Sequence, residues 1–409
     1  MSARATRGAA GTTARDTRGP LAVTAVAFAL GYLQKLPCHL AGWPWQRDLL
    51  FGHACYSDIP ILYRTRGLAD GVFPYASNAG EHPLEYPVLT GVTMDATGRL
   101  TRLLGGTGTT FFELTVLLLL GCALLTVWAV SRAGGKAYLV AAAPTLALAG
   151  TVNWDLLAVA AATFAILAWV RERPALAGAC LGLGAAAKLY PALLLYPLLL
   201  VCLRERRLRD FAVAAGTAVA SWAAVNAPVA LAYPAGWTEF WRFNAGRPAD
   251  FGSLWYALGL LGATVQPLDP VAVAAFVALL AAVALVAWRA PVTPGLAALG
   301  FLTVAAFCLT NKVYSPQYVL WLLPLAGLAR VRVRDWAVWQ AAEVLYWFAI
   351  WQYLAWTLTP GWLYPAATFV RLAAEGYLAV RVALSPAEGT PAPEPSSTSG
   401  RPGISAAEC

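Results

Sequence analysis

Long apolar runs separated by short connections fill this 409-residue chain almost from end to end. In the run from Phe111 to Ser131 only Glu113 carries a charge. A helix needs about 20 such residues to cross a bilayer, and fewer when it is buried among others. Backbone polar groups in lipid must also be satisfied internally, which favours helices, and neighbouring helices tolerate Gly and Pro within a span. On that basis spans are expected near 20–36, 111–131, 137–152, 155–170, 174–188, 189–203, 211–231, 270–288, 294–310, 316–329, 336–356 and 361–380, about twelve in all. Composition agrees: 59% of residues are hydrophobic and 12% charged, against about 25% charged in a soluble protein. The expected fold is an all-α, multi-pass membrane bundle with a large first outer loop.

The net charge of +8 does not point to nucleic acid, because the basic residues sit in short clusters between apolar runs. One set of connections holds Arg132 and Lys136, Arg171 and Arg173, Arg204, Arg206, Arg207 and Arg209, Arg289, Arg330, Arg332 and Arg334, and Arg381. The alternate short connections hold only Lys188, Arg242, Arg247 and Lys312. Lys and Arg accumulate in cytoplasmic loops. The first set is therefore expected in the cytoplasm with both termini, and residues 38–110 outside. Residues 1–19 read as a disordered cytoplasmic leader, 20–384 as the transmembrane domain, and 385–409, rich in Pro and Ser, as a disordered cytoplasmic tail. The basic flank before residue 20 resembles a signal peptide. No small-residue cleavage site follows, so an uncleaved anchor is expected.

The unusual polar residues then fall at the outer ends of the spans. The 38–110 segment brings Asp58, Glu85 and Tyr86. Later outer connections bring Asn153 and Asp155; Lys188 and Tyr190; Arg242, Asn244, Arg247, Asp250, Ser253 and Tyr256; and Asn311, Lys312, Tyr314, Ser315 and Gln317. Ionisable groups at a membrane boundary are functional candidates, whereas a transporter places its polar groups near the midplane.

Each candidate has a plainer reading. Asp58 is a carboxylate suited to general-base work, or a solvated loop acid. Glu85-Tyr86-Pro87 is a substrate contact, or a rigid turn, since Pro87 restricts the residue before it. Lys188, after a Gly- and Ala-rich span that permits close helix approach, suits an anionic phosphate, or snorkels to the interface. Arg247 and Lys312 suit phosphate too, Arg bidentately and Lys as a point charge. Asn153 and Asp155 contact substrate or cap the following helix. Glu343 lies inside a span with no evident partner, and Arg371 and Glu375, four apart, are spaced to pair. Seven cysteines form no metal-ligand spacing. Four are packing residues, while Cys38 and Cys55 fall on the outer side, where a disulfide is permitted, and are either bridged or free.

Six short stretches in order carry a resemblance: Asp58 with Leu68 to Tyr75, Glu85-Tyr86-Pro87, Asn153-Trp154-Asp155, Gly182 to Pro191, Arg247 to Tyr256, and Asn311 to Gln317. In these the chain resembles membrane glycosyltransferases of the GT-C superfamily, specifically glycosyltransferase family 87 (the DUF2029 group), which includes actinobacterial polyprenol-phosphate-mannose-dependent mannosyltransferases. The resemblance implies a GT-C fold, a polyprenyl-phosphate sugar donor with mannose as the expected sugar, a lipid or glycan acceptor, and an acid of the first outer loop as catalytic base. Here that acid is Asp58. Lys188, Arg247 and Lys312 are expected to bind donor phosphate, and Glu85, Tyr86, Asn153, Asp155, Tyr190, Asn244, Asn311 and Gln317 to contact substrates. GT-C enzymes often pair two acids in that loop; Ile59 follows Asp58, the pair is absent, and neither a metal nor another cofactor is expected. The rival reading is a multi-pass transporter or lipid flippase, which explains the spans but not the one-sided polar residues.

Overall fold

The computed structural model describes residues 17–76 and 84–384, and every regular element among them is helical. The expected tail and residues 1–16 of the expected leader lie outside the described residues. Helix α1 (Arg18–Gln34) starts inside the expected leader and leads into α2 (Leu36–Leu40). After α3 (Asp58–Thr65) and α4 (Val88–Leu103) comes the long α5 (Gly108–Arg132). The expected span 137–152 is two short helices, α6 (Ala137–Ala141) and α7 (Pro144–Ala149). Pro144 explains the break: it fits a first helical turn but cannot continue a preceding one.

The rest of the bundle is α8 (Asp155–Val170), α9 (Pro174–Ala187), α10 (Leu195–Glu205), α11 (Leu208–Ala232), α12 (Pro234–Gly246), α13 (Leu254–Leu260), α14 (Leu268–Arg289), α15 (Leu296–Thr310), α16 (Val319–Leu328), α17 (Val333–Leu354) and α18 (Leu363–Leu384). Each expected span thus coincides with a helix or a broken pair. Three helices among the described residues, α5, α11 and α14, are long and apolar enough to cross a membrane. The most apolar stretch of α5 is 56% buried, against 22% for α11 and 17% for α14. So α5 is a core helix, while α11 and α14 turn apolar faces outward.

Helices α8, α15 and α16 are apolar on all sides and almost wholly buried, as such a composition requires. Helix α9 lies tightly on α11. A Cβ added to Gly178 would stand 2.0 Å from the Ala214 carbonyl oxygen, and one on Gly182 would stand 2.1 Å from that of Ala218. Small residues four apart let two backbones meet in this way. Helix α9 ends at Lys188, which is in extended conformation.

The 38–110 segment is not an open loop. Its α4 buries Val88, Gly91, Met94, Asp95, Gly98 and Thr101, a face with helical spacing. It packs on α5, α9 and α11. Gly and Thr carry much of that face, so the segment is amphipathic but too polar on average to read as a membrane span. Thr90 Oγ1 donates to the Ala187 carbonyl at 2.7 Å, satisfying an otherwise orphaned group at the end of α9. Cys38 and Cys55 form a disulfide, with their Cα atoms 5.8 Å apart.

Candidate active site

Asp58 opens α3, and its placement comes from the residues on either side. Ser57 Oγ accepts from the Ile59 amide at 3.3 Å, capping the helix. It also donates to the Thr151 carbonyl at 2.9 Å, and the Asp58 amide donates to the Val152 carbonyl at 2.8 Å. The start of α3 is thereby fastened to the turn before α8. Ile59, the residue in place of a second acid, is fully buried.

The Asp58 carboxylate takes a hydrogen bond on each oxygen. Tyr56 Oη donates to Oδ1 at 2.7 Å and Tyr86 Oη to Oδ2 at 3.2 Å. Burial is the largest influence on this acid and pushes its pKa above the ordinary carboxylate value. The two phenols and the charge of Lys188 act the other way, and the charge of Glu85 adds to the rise. Burial also lifts both phenols well above their usual range, so they stay protonated donors. A half-buried carboxylate held by neutral hydroxyls keeps more basicity than one neutralised by a bound cation.

Tyr86 links this acid to a cation. Lys188 Nζ lies 5.1 Å from the Tyr86 ring centroid and 5.9 Å from that of Tyr318. It is ion-paired with Asp155 Oδ2 at 3.3 Å. Asp155 is nearly inaccessible, and its Oδ1 accepts from Trp321 Nε1 at 2.5 Å. Trp321 is sandwiched between Tyr190, with centroids 4.6 Å apart, and Tyr318, at 3.9 Å. Asp58, Tyr86, Asp155, Lys188 and Tyr190 thus converge from four separated stretches. A narrow cleft beside Tyr86 is lined by Tyr75, Trp222, Trp237, Phe240 and Trp241.

The remaining expected residues lie around this centre or away from it. Glu85 is gripped by Arg66 through two bonds of 3.0 Å, and its charge is felt by Asp58. Asn153 is buried and its Oδ1 accepts from the Asp155 amide at 3.1 Å, an Asx turn just before α8. Arg247 pairs with Asp250 at 2.8 Å, and its charge reaches Tyr318. Gln317 is buried with its Oε1 unpartnered. Asn244 is exposed and bonded to the Phe240 carbonyl one turn back, and Asn311 is bonded to the Val313 carbonyl. Lys312 pairs instead with Asp269 at 2.8 Å. Asp269 and Arg247 both line a cavity of about 620 Å³ with Trp255 and Tyr256.

Three contributors went unread in the sequence. Tyr318 and Trp321 form the aromatic walls; their three-residue spacing at a helix start was the available signal. Lys35 is fully buried at the end of α1 and donates to the Tyr56 carbonyl at 2.9 Å. Its signal was a lysine at the outer end of a span, against the Lys/Arg bias of the chain.

The model of glycosyltransferase family 87 matches residues 86–310. The chain belongs to glycosyltransferase family 87. The matched stretch starts at Tyr86 and takes in Asn153, Asp155, Lys188 and Arg247; Lys312 stands just past its end, and Asp58 lies well before its start. No curated protein sequence matches the chain. Among solved structures, the crystal structure of ArnT from Cupriavidus metallidurans bound to undecaprenyl phosphate aligns at 13% identity with a TM-score of 0.47, over 90% of this chain and 77% of that one.

Proposed function

We propose that this family 87 glycosyltransferase moves mannose from a polyprenyl-phosphate donor to a lipid or glycan acceptor, with inversion, at the outer face of the plasma membrane. The domain is a GT-C bundle of about twelve spans over residues 20–384, with both termini in the cytoplasm. The observation that carries the reading is the Asp58 carboxylate, held by Tyr56 and Tyr86 within reach of the Lys188 charge.

In this mechanism Asp58 takes the proton of an acceptor hydroxyl. The freed oxygen forms a bond to the anomeric carbon from the face opposite the phosphate. The bond from that carbon to the phosphate oxygen breaks, and polyprenyl phosphate leaves with its electron pair. Lys188 and Arg247 offset the charge that grows on the leaving phosphate. Lys312, tied to Asp269, contributes from the flanking cavity. Glu85, Asn153, Tyr190, Asn244, Asn311 and Gln317 are the substrate-contacting candidates of the same face.

The test is incubation of purified protein with radiolabelled polyprenyl-phosphate-mannose and a membrane lipid extract. Labelled acceptor is the expected product. Failure to transfer sugar from any polyprenyl-phosphate donor would return the chain to the transporter reading.

A further inference from the structure

Three ionisable residues that the mechanism does not use lie together inside the helical bundle. Arg371 and Glu375 on α18 are both fully inaccessible, and Glu343 on α17 nearly so. Buried charges are retained only where they are paired and hydrogen-bonded, and within a membrane bundle they mark function. Arg371 Nη1 donates to Glu375 Oε2 at 2.7 Å. Its Nη2 donates to the Gly252 carbonyl at 3.0 Å, and its guanidinium stacks 3.7 Å from the Tyr314 ring centroid. Tyr314 Oη in turn donates to both Glu343 oxygens, at 2.9 and 3.0 Å, and Trp339 Nε1 donates to Glu343 Oε1 at 3.0 Å.

Arg371 therefore touches two outer segments at once, and those segments are fastened to each other. The Asp250 amide donates to the Lys312 carbonyl at 2.8 Å, and the Tyr314 amide to the Phe251 carbonyl at 3.0 Å. The Gly252 amide donates to Tyr364 Oη of α18 at 2.8 Å, and Tyr346 Oη of α17 donates to the Tyr314 carbonyl at 3.0 Å. Gly252 has φ of +75°, and a Cβ there would stand 2.2 Å from the Tyr314 carbonyl oxygen. That position accepts no side chain.

Both segments lead into the site. Asp250, anchored as above, holds Arg247. Tyr314 packs edge-on to Tyr318 at 5.7 Å, and Tyr318 stacks on Trp321, the partner of Asp155. We propose that Arg371 is a positioning residue that clamps segments 250–252 and 312–314 onto α17 and α18, and so sets both Arg247 and the Tyr318–Trp321–Asp155 side of the donor phosphate site. The proposal rests on the donor reading given under "Proposed function".

Arg371→Lys separates the clamp from the buried charge. A lysine keeps the pair with Glu375 but lacks the planar fork that reaches Gly252 at the same time. Tyr314→Phe keeps the stacked ring and loses only the Glu343 contact. Two readouts are used on detergent-purified protein shown to be monodisperse. Hydrogen exchange of the Asp250, Gly252 and Tyr314 amides should accelerate in Arg371→Lys, with α8 and α9 unchanged. The donor KM should rise about tenfold, the loss expected for a hydrogen bond to a charged group, with kcat within about threefold of wild type. Tyr314→Phe should change both in the same direction by less. Unchanged exchange at the three amides overturns the clamp. Accelerated exchange with a wild-type donor KM overturns the positioning role. A wild-type protein that transfers no sugar removes the donor reading and with it the positioning role, while the exchange readout still decides the clamp.

Discussion

Asp58→Asn is the substitution that separates chemistry from architecture. The asparagine keeps the size of the side chain and its two hydrogen-bonding arms. One arm still accepts from a tyrosine as the carboxylate does at 2.7 and 3.2 Å, and the other donates to the second phenol, whose hydroxyl rotates to accept. What is lost is the ability to take a proton. General-base assistance contributes about 10²–10⁴-fold, so kcat should fall at least about a hundredfold, or roughly 3 kcal/mol of barrier. Donor KM should stay near wild type, because the acid acts on the acceptor. The pH dependence gives a second signature. Burial raises the Asp58 pKa above the ordinary carboxylate value, and only the deprotonated form is active. Wild-type kcat should therefore be full above that raised pKa and fall as pH drops through it, and Asp58→Asn should lose this acid limb. The assay is transfer of radiolabel from polyprenyl-phosphate-mannose across a pH series. An Asp58→Asn enzyme with most of its activity and an intact acid limb would refute the assignment. Glu85 and Asp155 would come next, although Arg66 and Lys188 already occupy those carboxylates.

Lys188→Ala should weaken donor binding as well as turnover, and it should also destabilise the protein by about 3–5 kcal/mol, because it strands the buried Asp155. The double variant K188A/D155N should regain stability but not donor affinity, as read by thermal unfolding and donor KM. Without reductant, Cys38 and Cys55 should resist thiol labelling, and Cys38→Ser should lower stability by about 3 kcal/mol for a loop of this length; full labelling of both would rule out the bridge. Reporter fusions after residues 133, 172, 207 and 332 should signal cytoplasm, and fusions after 75 and 250 the exterior. An exterior signal at 207 would overturn the layout.

The alternation of apolar runs and basic connections made the helical architecture legible, since bilayer length and Lys/Arg bias are written locally. The same alternation placed Asp58, Tyr86, Asp155 and Lys188 on one side, although they come from distant parts of the chain. Side-chain partners were less legible. Nothing local says that Lys312 turns to Asp269, that Glu343 receives Tyr314, or that Lys35 reaches the Tyr56 carbonyl. Those choices depend on which helices become neighbours. Helix α4 escaped for a different reason: its buried face is built from Gly and Thr as much as from Val and Met, so the segment lacks the long apolar run by which the spans were found.

The bridge between Cys38 and Cys55 has a consequence in time. Synthesis runs from the N-terminus at about 5–20 residues per second. On the outward orientation proposed here, residue 55 crosses the membrane while the bulk of the bundle is still unmade. The cross-link can then close before Lys188, Arg247 or Trp321 exists. Asp58 would be tethered first, and the later helices would assemble around it one by one, so that an oxidation defect acts on the newborn chain rather than on the finished enzyme.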